Sequence, residues 1–371
     1  MSYFSLAHSA GEDASAVVND CLAQFAQSEP GRGPGFVYVT PPLETMLEDI
    51  IARLQQTTGV ADWTGTTGIG ICAPAQEYYE QPAMVAMVAD LDPQAYFIFA
   101  DRDRDTPQPP ALDAWCTSDA LHVGVVHGDP MDQQMPALLN RMSERVPEAF
   151  FTGGLSSSSG RGRQVAGEVG SGGVSGVLFD QSVRIASSHT QGCSPIGEPH
   201  TITACKGNIV AQLDGRPALE VLIEEIGEVM ARDLSKLAGY VFAGFPIAAS
   251  DTGDYMVRNL VGIDEENQLV AVAERVHEGM NMMFCRRDGN TARSDMQRML
   301  DSVAAQVNGQ ASGALYFSCL GRGRHQFGPH SDELKMIADT LGDIPLAGFF
   351  ANGEIFHNRF YAYTGVLTVF Y

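Results

Sequence analysis

The chain has 371 residues, 44% of them hydrophobic, which suffices for sizeable cores and sets an expectation of two domains. Asp plus Glu number 45 against 23 Lys plus Arg, a formal net charge of -22, and a field of that sign disfavours nucleic acid and anionic membrane as partners. Glu12, Asp13 and Asp20 near the start argue against a secretory signal, and no apolar run is long enough for a membrane helix, so a cytoplasmic location is expected.

In chain order, Val17, Val18, Cys21, Leu22 and Phe25 form a helical stripe, which the Gly/Pro-rich stretch 30–35 ends. A construction then appears that recurs twice: apolar strand, turn, amphipathic helix, a small residue followed by Gly, and a second apolar strand. Copy one runs through Phe36–Val39, Leu43–Leu54, Thr64-Gly65 and Met84–Ala89. Copy two runs through Leu121–Val126, Met135–Met142, Thr152-Gly153 and Val174–Phe179. Copy three runs through Leu315–Cys319, Leu334–Leu341, Ala347-Gly348 and Val366–Phe370. The step from first strand to Gly is 29, 32 and 33 residues, and from Gly to second strand 19, 21 and 18. Spacing this constant predicts duplicated architecture. Thr40, Asp129 and Ser331 are the expected helix caps, with Pro41 and Pro130 as first helical residues.

Between the copies, the alternating charges of 101–105 and the prolines after them predict an exposed loop. Thr201–Thr203 and Ile209–Leu213 read as short strands, with Asp214-Gly215 as a turn. A long helix is expected over 217–237, a hairpin from Val257–Ile263 to Leu269–Val272, and a helix over Met296–Val303. The expected fold is α/β: duplicated strand-helix-hairpin units forming mixed sheets in two domains, 1–215 and 216–371, that meet over a cleft.

Several segments are candidates for chemistry. The tract Gly153–Gly160, followed by Arg161 and Arg163, has the composition of either an anion-holding loop or a plain surface loop. Gly167-Glu168 and Gly353-Glu354 occupy related places in copies two and three, as cleft residues or as a shared solvent-facing turn. His189, Cys193, His200 and Cys205 fall close together, but their spacing matches no paired zinc motif. Cys193 sits in an irregular bend, packed and inert or else reactive beside His189 or His200. No phosphate-binding loop and no Gly-x-Ser-x-Gly elbow occurs.

The segments Phe151-Thr152-Gly153-Gly154, Gly192–Gly197, Tyr255–Leu260 and Leu346–Ile355 resemble the FIST family, sensory modules with an N-terminal and a C-terminal FIST domain. The resemblance covers most of the chain. It implies a small-molecule-binding module of signal transduction, with amino acids as proposed ligands and output through a separate signalling protein. Some members resemble haem-bearing nitric-oxide sensors, and His277, His325 and His330 are the imidazoles available for such a role. With no haem-attachment pattern present, no cofactor and no metal is expected. Ligand binding is expected of Cys193, Arg258, Asn352, Glu354, Gly154 and Ser156, with Arg258 pairing a ligand carboxylate and Glu354 and Asn352 receiving an amino group. A cysteine-dependent enzyme built on Cys193 and a haem-based sensor are the alternatives.

Overall fold

The computed structural model describes residues 4–371 except 102–114, 116–120, 133, 147–148, 159, 161, 232 and 248–253. The chain forms two compact units: residues 1–190 together with 293–371, and residues 191–292.

The larger unit holds all three copies. In copy one, β1 (Phe4–Ala10) leads into α1 (Ala14–Ala26), β2 (Gly35–Val39), α2 (Leu47–Thr58) and β3 (Trp63–Thr67). A hairpin follows, β4 (Gly70–Ala73) and β5 (Gln76–Tyr79), and β6 (Ala83–Ala89) closes the copy. Copy two repeats the order with β7 (Tyr96–Asp101), β8 (His122–Gly128), α3 (Met135–Arg145) and β9 (Ala149–Leu155), then β10 (Arg163–Ala166), β11 (Glu168–Ser171) and β12 (Val174–Phe179). Copy three begins at β13 (Ile185–Gln191), where the smaller unit interrupts it.

In that smaller unit come β14 (Cys193–Pro195), β15 (His200–Lys206), β16 (Ile209–Leu213), β17 (Arg216–Pro217), α4 (Ala218–Ala231), β18 (Val241–Pro246), β19 (Tyr255–Asp264), β20 (Leu269–Val272) and β21 (Asn281–Arg287). Copy three then resumes with α5 (Gly289–Val307), β22 (Gly313–Cys319), α6 (Asp332–Leu341) and β23 (Leu346–Ala351). Its hairpin is β24 (Glu354–Phe356) and β25 (Arg359–Tyr361), and β26 (Thr364–Phe370) ends it.

The pairing is the same in every copy. The first parallel pair is β2 with β3, β8 with β9, and β22 with β23. The closing strand lies antiparallel to the first member: β6 on β2, β12 on β8, β26 on β22. Each hairpin leaves its own copy. The copy-one hairpin extends the sheet of copy three through β4 and β23, the copy-two hairpin extends copy one through β10 and β3, and the copy-three hairpin extends copy two through β24 and β9. Three six-stranded sheets of one strand order result. The architecture is mixed α/β, as the repeat predicts.

The Gly of the repeat has a steric cause. A Cβ on Gly65, Gly153 or Gly348 would lie 1.7, 1.9 or 1.8 Å from the carbonyl oxygen of Val37, Val126 or Tyr316 on the parallel neighbour. Only hydrogen fits there, so the three sheets share one close approach.

Side chains alternate across each sheet. In β2, Phe36 and Tyr38 enter a core shared by all three sheets, while Val37 and Val39 pack beneath α1 and α2. Sheets buried on both faces explain why these strands read as continuous apolar runs. Register makes Tyr38, His127 and Phe317 equivalent, and their rings converge, with centroids 5.5 to 6.2 Å apart. Tyr38 Oη and His127 Nε2 are 3.1 Å apart, and burial drives the His127 pKa down to about 3, so this imidazole is neutral.

The smaller unit is a closed antiparallel barrel in the order β21-β15-β16-β20-β19-β18, with β18 returning to β21. Ile202, Val210, Val270, Met282 and Phe284 fill it together with Leu219 and Leu222 of α4. The expected hairpin is β19–β20, and the Asp214-Gly215 turn has both residues at positive φ. The long helix expected over 217–237 is α4 followed by a separate 3-10 turn, Leu234–Leu237.

The expected caps act otherwise. Thr40 precedes a 3-10 turn, Pro41–Met46, and its hydroxyl accepts from Ala83 N at 2.8 Å. Asp129 accepts from Met131 N at 2.9 Å, and α3 starts only at Met135. Ser331 sits at φ 57° and its hydroxyl accepts from Glu77 N at 3.0 Å. In each case a tertiary hydrogen bond or tight turn takes the side chain that local pattern assigns to a helix end. Asp101 belongs to β7, and the rest of the 101–105 loop lies outside the described residues.

Candidate functional site

The three parallel pairs end at equivalent points, Thr40, Asp129 and Cys319. Among the described residues, only copy three buries a cation there. Arg322 follows β22 in a tight turn, its N–H donating to Cys319 O at 2.8 Å, and its side chain is fully buried. Nε donates to Glu333 Oε1 at 2.7 Å, and the guanidinium lies 5.0 Å above the Phe327 ring.

Glu333, in the first turn of α6, is equally buried and densely bonded. Tyr316 Oη donates to Oε1 at 2.6 Å, Ser318 Oγ to Oε2 at 3.1 Å, and Gly323 N to Oε2 at 2.8 Å. These donors and the helix N-terminus favour a carboxylate. Arg322 Nη1, in contrast, is buried without a hydrogen-bond partner. A buried guanidinium N–H left unpaired is costly.

Two further carboxyls are buried close by. Glu77 arrives on β5, from the hairpin that copy one lends to copy three. Burial and then the Glu333 charge push its pKa up to about 7, and Oε1 is buried without a partner. Glu354, the first residue of β24, is fully buried. Its Oε2 accepts from Thr364 Oγ1 at 2.7 Å and Thr364 N at 3.1 Å, while Oε1 is buried without a partner. Burial pushes its pKa up to about 8, against the pull of Thr364 and of the Arg322 charge. Cys319 lies under the influence of both Glu354 and Arg322, and burial raises its thiol far out of the reactive range.

The expected site residues fall in two groups. Gly154, Ser156, Asn352 and Glu354 come together where β9 meets β24. Gly154 opposes Glu354 in the ladder, Asn352 N donates to Leu155 O at 3.0 Å, and Ser156 Oγ is buried without a partner. Cys193 and Arg258 belong to the barrel. Cys193 is buried in β14, and its carbonyl accepts from Tyr255 Oη at 2.6 Å. Arg258 Nε donates to Glu274 Oε2 at 2.9 Å. Both ring nitrogens of His200 face carboxylates, Asp214 at 2.7 Å and Glu225 at 2.8 Å.

Two local expectations change. Gly153–Leu155 is part of β9 and not a loop, and Ser159 and Arg161 of the same tract lie outside the described residues. Gly353-Glu354 opens its hairpin, whereas Gly167 turns between β10 and β11. The register partner of Glu354 in copy two is therefore Gln164, and in copy one Ile71. His277, His325 and His330 are exposed.

Arg322, Glu333 and Glu77 are absent from the sequence-based set. A Gly-flanked Arg322 directly after an apolar strand was the available signal. Glu77 carried none, because its neighbourhood is made by the exchanged hairpin.

Comparison with known proteins places these elements in a family. The FIST N domain model matches residues 35–216 and the FIST C domain model residues 218–357. The chain belongs to the FIST family, whose domains are associated with sensory and signal-transduction proteins. It is similar to an uncharacterized protein of Mycobacterium tuberculosis, 30% identical over 338 residues and 87% of each chain. A second uncharacterized protein, from Mycobacterium bovis, is 39% identical over 171 residues, 45% of this chain and 44% of that one. No helix among the described residues is long and apolar enough to cross a membrane.

Proposed function

We propose that the chain is an intracellular sensory module that binds an amino-acid-like molecule at the end of β22 and signals through a separate protein. One observation carries this reading: Arg322 Nη1 and Glu354 Oε1, a donor and an acceptor, are both buried without partners in the same unit. A carboxylate suits the Arg322 donor and an ammonium suits the Glu354 acceptor. Gly154, Ser156 and Asn352 are the neighbouring site residues, and Arg258, already engaged by Glu274, passes the carboxylate role to Arg322.

The test is a thermal-shift screen of amino acids and small carboxylates against wild type and Glu354→Gln. A ligand at a hundred times its Kd stabilises the native state by about 2.7 kcal/mol. A dose-dependent shift that Glu354→Gln weakens is expected. If no compound shifts wild type, or the variant responds equally, the reading falls.

A further inference from the structure

Resting on that reading, we infer that occupation of this site is coupled to loss of a proton from Glu354: the empty site holds it as a neutral acid, and a cationic group on the ligand converts it to a carboxylate.

The argument is one of charge count. Glu333 and Glu354 are buried within reach of the Arg322 charge and Glu77 within reach of Glu333, and Arg322 is the one buried Lys or Arg among the described residues. Arg322 is already spent on Glu333, which takes its Nε and four further hydrogen bonds from Tyr316, Ser318 and Gly323. A second buried carboxylate would then stand uncompensated, and such groups take up a proton instead.

The surroundings of Glu354 agree. The β25 partner across the hairpin is Tyr361, the residue opposite on β9 is Gly154, and the titratable or charged groups acting on the carboxyl are Cys319 and Arg322. Cys319 brings no positive charge, and the hydrogen bond of its thiol to the Glu354 carboxyl, a weak donor's, does not offset burial. The two hydrogen bonds from Thr364 serve Oε2 alone, which leaves Oε1 as the atom that holds the proton in the empty site. An ammonium placed against Oε1 supplies the missing counter-charge. The proton passes to solvent, the ligand keeps its own, and total charge is conserved.

Copy two supports the assignment by contrast. At the same register position stands Gln164, whose Nε2 donates to Gly173 O at 3.2 Å, an amide that cannot take part in proton exchange.

Two measurements test the inference. The first needs no ligand: carbon NMR of glutamate-labelled protein, with Glu354→Gln identifying the signal. A protonated Glu354 at pH 7 is expected, and an ionised one overturns the inference whatever the ligand. The second is calorimetry with glycine and with methylammonium chloride in buffers of different ionisation enthalpy. Release of about one proton per bound methylammonium is expected at pH 6, with affinity rising about tenfold per pH unit below pH 8, and a smaller release with glycine, whose carboxylate adds a negative charge. Binding of methylammonium without proton release overturns the coupling while leaving the binding reading intact. Failure of both probes to bind overturns the coupling as assigned to an ammonium group. Glu354→Gln should abolish the pH dependence, and the same pH slope in that variant would assign the proton elsewhere.

Discussion

Copies two and three of the repeat have one backbone and different interiors. In copy two, Asp129 closes a local turn and Gln164 meets a backbone carbonyl. In copy three, the same framework encloses Arg322, Glu333 and Glu354, and draws in Glu77 from copy one. The framework is fixed by the Gly approach and the apolar strands, which all copies share. Buried charge contributes little to stability beyond what apolar packing would give, so the fold does not require it. The difference locates the place where one copy departs from the shared framework.

The sharpest way to break this comparison is Glu333→Ala. It leaves Arg322 buried and unpaired, and a loss of about 3–5 kcal/mol in urea-induced unfolding at pH 7 is expected. Asp129→Ala, the copy-two counterpart at a strand end, should cost about 1–2 kcal/mol. Equal losses would mean that the two ends are not differently built. Next in size are Gly65→Ala, Gly153→Ala and Gly348→Ala, each expected to cost about 1–3 kcal/mol through forced backbone displacement. Similar values across the three would establish the shared framework energetically, and a tolerated Gly348→Ala would remove it.

Glu354→Gln gives copy three the chemistry of copy two. The folded carboxyl titrates near 8 against an ordinary value of 4.5, so the folded state binds the extra proton between them. Wild-type stability therefore falls as pH rises through that window, by at most about 1.4 kcal/mol per pH unit for this group. Glu77, with a pKa of about 7, adds a slope of the same sign over the lower part. The variant should lose the Glu354 share and gain on wild type between pH 6 and pH 8 in denaturant titrations. Unchanged slopes would place the titrating group elsewhere.

The smallest effect is expected in the barrel. Burial lowers the His200 pKa, but its hydrogen bonds to Glu225 and Asp214 together outweigh burial and raise it, so its contribution is full at low pH and is lost as pH rises through the folded value. His200→Gln should cost below about 1 kcal/mol at pH 5.5 and less at pH 8. A larger cost at pH 8 than at pH 5.5 would contradict the sign.

Much of the framework was legible in the sequence because it is local. Period-2 and period-3.6 apolar spacing fixed β2, α2, β8, α3, β22 and α6, and the recurring Gly marked the parallel pair. Leading strands β1, β7 and β13 were missed, since their partners β6, β12 and β26 lie far along the chain and their mixed polarity gives no strong signal. The exchange of hairpins was invisible for the same reason. Glu354 was legible from its motif, but its correspondence to Gln164 needed strand register. Arg322, Glu333 and Glu77 form a group only once the β4–β5 hairpin lies beside β23.

That lending of hairpins has a consequence for what the smallest self-sufficient piece can be. Each copy gives its hairpin to one neighbour and receives one from the other, so the loans run in a circle: one to three, three to two, two to one. A chain carrying a single copy would leave β3, or its equivalent, with an open edge and its own hairpin without a host. Three such chains would satisfy one another completely. The larger unit is thus a trimer written into one polypeptide, and among the described residues its third member alone carries an inserted barrel and a buried cluster around Arg322 and Glu333.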